Sequence, residues 1–373
     1  MKPVARRMNS EVQGIDPDER FMKIALGLAE LGRGFTAPNP MVGAVIVRKG
    51  RIIGAGYHKR AGEPHAEIRA MEDAGWDVKG ATMYVTLEPC VHYGRTPPCA
   101  DRIIKEGIKR VVIAVLDPNP RVHGEGVRKL REAGIEVKVG VLEKEARALN
   151  EAFFKFMETG LPFVILKLAA TLDGHIADSR GNSKWISSEA SRAFVHKLRG
   201  EVDGIAVGIN TVLVDDPMLT PRDVYPARFP RRFVLDSELK IPLTSKILRV
   251  PPPTVVVTGA KHSEEKKKAL EERGIEVWIQ EKREVDMETF LRKAGKKGIQ
   301  SIMFEGGGKV ATSIIGAGLF DKIYLFLAPR LLGGGIQFFR KDPPLPVDSP
   351  VELQIETFKR FSSDLLLVLR KKE

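Results

Sequence analysis

One histidine and two cysteines stand in a pattern that suits a metal. Pro64-His65-Ala66-Glu67 is followed by Glu88-Pro89-Cys90 and then by Cys99, and the chain has no other cysteine. Zinc favours imidazole nitrogen and thiolate sulfur. A catalytic site keeps three protein ligands, so that water takes the fourth position. Such a metal lowers the pKa of its water from about 15.7 toward 7. Glu67, two residues from the histidine, suits the group that takes the water proton and passes it to a leaving amine. Each residue alone has an ordinary explanation. A histidine before a helix is commonly a cap, a first-turn glutamate answers the helix dipole, and a cysteine after proline packs as a small apolar group. Their joint spacing favours metal chemistry.

The elements around these residues point the same way. The N-terminal half alternates helices and strands: a helix over about 18–32, a hairpin "MVGAVIVRKGRIIGAGYH" around Lys49-Gly50, and a helix opened by Pro64 and running to about Ala74. A strand "TMYVTLE", a helix after Cys99, a strand "RVVIAV", a helix over 124–133 and a strand "IEVKVGV" follow. Proline suits the first turn of a helix, so Pro64 and Pro98 put His65 and Cys99 at helix N-termini, where the dipole favours thiolate. A helix over 143–158 ends at Gly160-Leu161-Pro162, and we place a domain boundary there. The second half opens on the apolar strand "FVILKLAA". It continues through a helix over 187–199, the strands "GIAVG", "RRFVLD", "TVVVTG", "IEVWI" and "SIMFE", helices over 262–273, 286–296 and 309–317, the strand "KIYLFLAP" and two late strands. Both halves are α/β. The expected domains are an extension over 1–17, a zinc domain over 18–160 and a second domain over 161–373.

Composition sets limits. The 373 residues exceed one ordinary core and fit two domains. Hydrophobic residues make 43% and charged residues 29%, which is globular and neither disordered nor membrane-like. No apolar run approaches the ~20 residues of a membrane helix. The basic start is not followed by an apolar core, so no secretory signal is expected. Two close cysteines in such a chain read as metal ligands in a reducing, cytoplasmic setting. The net charge is +12, and the surplus is 5 over residues 1–160 and 7 over 161–373. Spread in this way it suits small anionic ligands in each half as well as nucleic acid.

H-x-E with P-C and a second cysteine resembles the signature of zinc nucleobase deaminases. The usual ending is P-C-x-x-C, whereas "PCVHYGRTPPCA" places eight residues between the cysteines. That insert, with His92, Gly94 and Arg95, resembles the deaminase domain of the bifunctional riboflavin-biosynthesis deaminase/reductase family. "APNPMVGAVIV" with Asn39, "GAGYHKRAGEPHAE" with His58 and "DPNPRVHGEG" with Asp117 and Asn119 are similar to its substrate segments. "KLAATLDGHIAD", "NSKWISS", "GINTVLVDDPMLTPR" and "FEGGGKVATSII" resemble its reductase domain. The similarity runs from about residue 20 to the end.

The resemblance implies a cytidine-deaminase-like αβα domain followed by a dihydrofolate-reductase-like α/β domain. It implies zinc on His65, Cys90 and Cys99, Glu67 as proton shuttle, and Asn39, His58, His92, Arg95, Asp117 and Asn119 around a diaminopyrimidinone carrying a phosphoribosylamino group. In the second domain it implies a substrate pocket of Lys167, Ser183, Arg199, Leu219, Arg222 and Glu305. NADPH would meet Ala169, Trp185, Thr211, Asp215 and the stretch Gly307, Gly308, Lys309, Val310 and Ala311. The reaction would be deamination, then reduction of the ribosyl group to ribityl. Read from the residues alone, Gly306-Gly307-Gly308 between a strand and a helix permits close approach of a diphosphate, but it is not the G-x-G-x-x-G fingerprint. No residue announces itself as the acid for the reduction, and Lys167 is the candidate. The expected partners are small phosphorylated pyrimidines, with no nucleic acid or membrane, and a homo-oligomer is allowed. The alternatives are a tRNA adenosine deaminase and a scaffold with a structural zinc. The first conflicts with the insert and the reductase-like half. The second needs a fourth protein ligand, which His92 could supply.

Overall fold

The computed structural model describes residues 16–91, 97–120, 122–224 and 229–372. Residues 1–15 of the expected extension therefore lie outside the described residues. The chain divides into two compact units, Met1–Thr159 and Gly160–Glu373. No helix among the described residues is long and apolar enough to cross a membrane.

The first unit holds α1 (Pro17–Glu30), β1 (Gly43–Arg48), β2 (Arg51–Tyr57), α2 (Ala66–Asp73), β3 (Thr82–Val85), α3 (Cys99–Lys105), β4 (Arg110–Ile113), α4 (Glu125–Glu132), β5 (Glu136–Val139), α5 (Glu143–Leu149) and α6 (Glu151–Thr159). The sheet order is β2-β1-β3-β4-β5. β1 pairs antiparallel with β2 and β3, while β3, β4 and β5 run parallel. Strand alternation sorts the apolar side chains onto two faces. Ile46, Met83, Val85, Val111 and Ile113 meet Ala70, Met71, Ile103 and Leu130 of α2, α3 and α4. Val45, Val47, Tyr84 and Val112 meet Phe21, Met22, Ala146 and Phe154 of α1, α5 and α6. The result is an αβα sandwich. Gly54 and Gly56 let α2 lie directly on β2: a Cβ there would sit 2.2 Å from Ala70 O and 2.6 Å from Ala70 N.

One expectation needs correction. The helix read over 143–158 is two helices, broken at Asn150. The Asn150 side chain accepts from Met41 N and donates to Met41 O, both at 2.8 Å. That long-range amide clamp outweighs local helix continuation.

A charged cluster ties α1 to the sheet. Asp18 accepts both terminal guanidinium nitrogens of Arg110 at 2.8 and 2.9 Å, Lys138 Nζ at 2.7 Å and the Tyr84 hydroxyl at 3.0 Å. Its side chain is only 9% exposed. The hydrogen bonds from Arg110 hold its carboxyl well below the usual range. A depressed carboxylate stabilises above its unfolded pKa of about 3.9, and the contribution fades as pH falls toward the folded value. Asp18→Asn is expected to destabilise this unit by about 2 kcal/mol at pH 7 and much less near pH 2. Urea unfolding of the intact protein at the two pH values checks it; equal losses at both would refute the account.

The second unit holds β6 (Phe163–Thr171), β7 (His175–Ala177), α7 (Glu189–Glu201), β8 (Gly204–Gly208), α8 (Ile209–Asp215), β9 (Arg231–Leu235), β10 (Thr254–Thr258), α9 (Glu264–Glu271), β11 (Glu276–Ile279), α10 (Met287–Lys296), β12 (Ser301–Glu305), α11 (Gly308–Gly316), β13 (Lys322–Ala328), β14 (Ile336–Gln337), β15 (Leu353–Phe361) and β16 (Asp364–Lys371). Nine strands form one sheet in the order β11-β10-β9-β8-β12-β6-β13-β16-β15. It is parallel from β11 to β13 and antiparallel at β16 and β15. α10 and α11 cover one face with Phe290, Leu291 and Ile314; α7, α8 and α9 cover the other with Leu198, Val212 and Leu270. The short β7, α8 and β14 were not read from sequence.

Candidate active sites

In the first unit, the starts of α2 and α3 bring His65 and Cys99 close together. His65 is the N-cap of α2, with φ −70° and ψ 165°, and its side chain makes no capping bond. The imidazole is thus left for other partners. Pro98 caps α3, so Cys99 is its first residue. Cys90 lies beyond β3, and its sulfur accepts the Cys99 N–H at 3.4 Å. His65 Nδ1 lies 3.3 Å from Cys99 Sγ and 3.6 Å from Cys90 Sγ. The three donor atoms fall within 4.8 Å of one another, and both cysteines are free thiols. Two sulfurs and one imidazole nitrogen, converging with three donors, fit a tetrahedral zinc that keeps one position open. Hydrogen bonds from Cys99 hold the Cys90 thiol below its ordinary pKa, and the bond to Cys90 raises that of His65.

Glu67, in the first turn of α2, is 3% exposed. Burial lifts its carboxyl above the ordinary range, which favours a group that carries a proton. His58, also buried, stands edge-on to His65 with ring centroids 5.4 Å apart. Its Nδ1 lies 3.3 Å from Pro64 O and its Nε2 3.1 Å from Asn39 Nδ2. Burial lowers its pKa, so it stays neutral, donating to Pro64 and accepting from Asn39. Asp117 Oδ1 accepts Asn119 N at 2.8 Å. His92 and Arg95 lie outside the described residues.

In the second unit, the register of β12 on β6 sets Glu305 opposite Lys167. Arg199 of α7 reaches the same carboxylate in a two-pronged pair, Nε to Oε1 at 2.7 Å and Nη2 to Oε2 at 2.8 Å. Lys167 Nζ stands 3.9 Å from Oε2. Burial lowers the Lys167 pKa. Burial alone would lift the Glu305 carboxyl, but the charge of Arg199 prevails and holds it down. Two cations thus face one carboxylate in a desolvated site, which suits an anionic or electron-rich ligand.

Leu219 is buried with φ +54°, a region that costs a non-glycine residue energy. Its neighbours hold it there. Arg232 donates to Met218 O at 3.2 Å, while Arg199 Nη1 lies 3.3 Å and His196 Nδ1 3.2 Å from Thr220 O. Arg222 is exposed, and its charge lowers the His196 pKa after burial and Arg199. His196 and Arg232 were missed from sequence. The spacing of His196 from Arg199, three residues on one helix, could have placed it beside that pocket.

The glycine loop leaves β12 with Gly306 at φ +70° and Gly307 at φ +78°, and α11 starts at Gly308. A Cβ at Gly306 or Gly307 would lie 3.5 or 3.6 Å from Thr211 Oγ1, so Thr211 borders the loop. A backbone turn without Cβ atoms at a helix start fits a cofactor phosphate. Val310 and Ala311 turn their side chains into the core, which leaves only their backbone for a cofactor. Lys309 is exposed. Asp215 pairs with Lys184 at 3.4 Å, beside Trp185, whose ring stacks under Arg192 at 4.4 Å. Ser183 is half-buried, and Ala169 shares the Lys167 face of β6.

Comparison with known proteins decides the family. Residues 162–367 match the family model for the RibD C-terminal domain. The riboflavin biosynthesis protein RibD of Aquifex aeolicus is 50% identical over 320 residues, 86% of this chain and 89% of its own. This chain belongs to the RibD family. Residues 15–115 match the cytidine and deoxycytidylate deaminase zinc-binding region. The RibD structure from Acinetobacter baumannii aligns with TM-score 0.89 at 37% identity, over 96% of this chain and 99% of that one. A Thermotoga maritima structure described as a diaminohydroxyphosphoribosylaminopyrimidine deaminase/5-amino-6-(5-phosphoribosylamino)uracil reductase aligns with TM-score 0.85 at 38% identity, over 95% and 99%. The RibD fold is thus a cytidine-deaminase-like domain followed by a dihydrofolate-reductase-like domain, as the sequence motifs imply.

Proposed function

We propose that the first unit hydrolytically removes an exocyclic amine from 2,5-diamino-6-(5-phosphoribosylamino)pyrimidin-4-one. The second unit then reduces the ribosyl group of the product, 5-amino-6-(5-phosphoribosylamino)uracil, to ribityl with NADPH. The observation that carries the reading is the convergence of His65, Cys90 and Cys99 beside the buried Glu67.

His65, Cys90 and Cys99 would hold zinc, which when bound polarises water and lowers its pKa. Glu67 accepts the water proton and returns protons to the ring nitrogen and the departing ammonia. Asn39 and the neutral His58 hold the ring, with His92, Arg95, Asp117 and Asn119 contributing. In the second unit Ala169, Trp185, Thr211, Asp215 and the stretch Gly307 to Ala311 would hold NADPH, which supplies hydride to C1′ of the opened ribose. Lys167, with its lowered pKa, offers the proton that balances the hydride. Ser183, Arg199, Leu219, Arg222 and Glu305 orient the sugar phosphate. The ligands are small molecules, and thiols that must stay reduced suit a cytoplasmic setting.

Mass analysis of products formed from the diaminopyrimidine phosphate tests both halves. Without NADPH the mass should rise by about 1 Da, as an amine becomes a carbonyl; with NADPH a further 2 Da should follow. Deamination of tRNA with no reaction of the pyrimidine would refute the reading.

A further inference from the structure

Glu88 lies between β3 and the ligand Cys90 and is 3% exposed. Its carboxylate is taken up by three backbone N–H groups from a remote stretch of chain. Oε2 accepts from Asp117 N at 3.2 Å and Gly124 N at 2.9 Å, and Oε1 accepts from Val127 N at 3.1 Å. One oxygen therefore binds the backbone at both Asp117 and Gly124, and the other enters the first turn of α4. Charge-assisted bonds of this kind, at a helix start, are strong and directional. An independent contact says the same. A Cβ on Gly126 would lie 2.3 Å from Pro89 O and 3.0 Å from Glu88 Cγ. The start of α4 thus rests on the Glu88-Pro89 backbone, one peptide from the metal ligand. Within the loop, Asp117 O accepts from His123 Nδ1 at 2.9 Å.

We propose that Glu88 is a positioning residue for deamination. It locks the loop that carries Asp117 and Asn119 to the segment that carries Cys90, and so registers the substrate against the metal centre. This rests on the deaminase reading above and assigns a new role within it. Two of the proposed substrate contacts ride on this loop, so loosening it should weaken substrate binding more than the chemical step.

Glu88→Gln keeps the volume and replaces one acceptor oxygen with an N–H donor facing a backbone donor. Expected in the full chain are amide exchange at Asp117, Gly124 and Val127 faster by about tenfold or more, and KM for the pyrimidine phosphate raised by about tenfold. Zinc content, kcat within about threefold and NADPH-dependent reduction should be retained. Gly126→Ala, which leaves the carboxylate in place and pushes α4 off the same backbone, should raise KM in the same direction. Faster exchange throughout the first unit, with zinc and kcat falling together, would show a merely structural residue and overturn the proposal. Unchanged loop exchange and KM in both variants would overturn it too. Should the wild type leave the pyrimidine phosphate untouched, the functional reading fails, and exchange at the three amides alone upholds or overturns the lock.

Discussion

Replacing Glu67 with Gln should leave zinc bound and lower deamination by about 10³-fold. The substitution preserves shape, so α2 and the His65 cap that begins it keep their position. What is lost is the ability to hold and release a proton. At 3% exposure, burial already lifts the carboxyl toward the protonated form, and no other carboxylate is proposed for this step. Metal analysis and deaminase turnover on the same sample check it. Turnover above about a tenth of wild type would remove Glu67 from its role. Reduction of separately supplied deaminated substrate should continue, because the second unit has its own sheet and core.

Glu305→Ala should abolish reduction and destabilise the second unit by about 3–5 kcal/mol. Both charged partners of Glu305 are largely buried: the Arg199 side chain is 13% exposed and the Lys167 side chain 18%. Removing the carboxylate strands two cations in a desolvated site, which costs more than the pair itself contributes. It also frees Arg199, which helps to hold the carbonyl after the strained Leu219. Glu305→Gln, keeping the volume and one acceptor, should lose less stability and still lose most turnover. NADPH oxidation with the deaminated substrate and urea unfolding of the intact protein give the two readings. Wild-type values for both in Glu305→Ala would defeat the assignment, and deamination should persist.

The sequence determined the parts whose signal is local. Helices and strands follow from apolar period, so the α/β character of both units was legible. The convergence of His65, Cys90 and Cys99 was legible because metal chemistry limits the side chains, and because proline beside His65 and Cys99 marks helix starts. The tertiary structure decided what depends on which elements become neighbours. Arg199 and Glu305 are 106 positions apart and meet because β12 lies between β8 and β6. Asn150 breaks a helix for the sake of Met41, 109 positions away. Glu88 was visible within its motif, but its three amide partners are 29 to 39 residues onward. Periodicity states which face of an element is apolar; it carries no term for the partner that a buried charge will find. That choice belongs to the packed sheet, where a desolvated carboxylate is stable only if cations or N–H groups reach it.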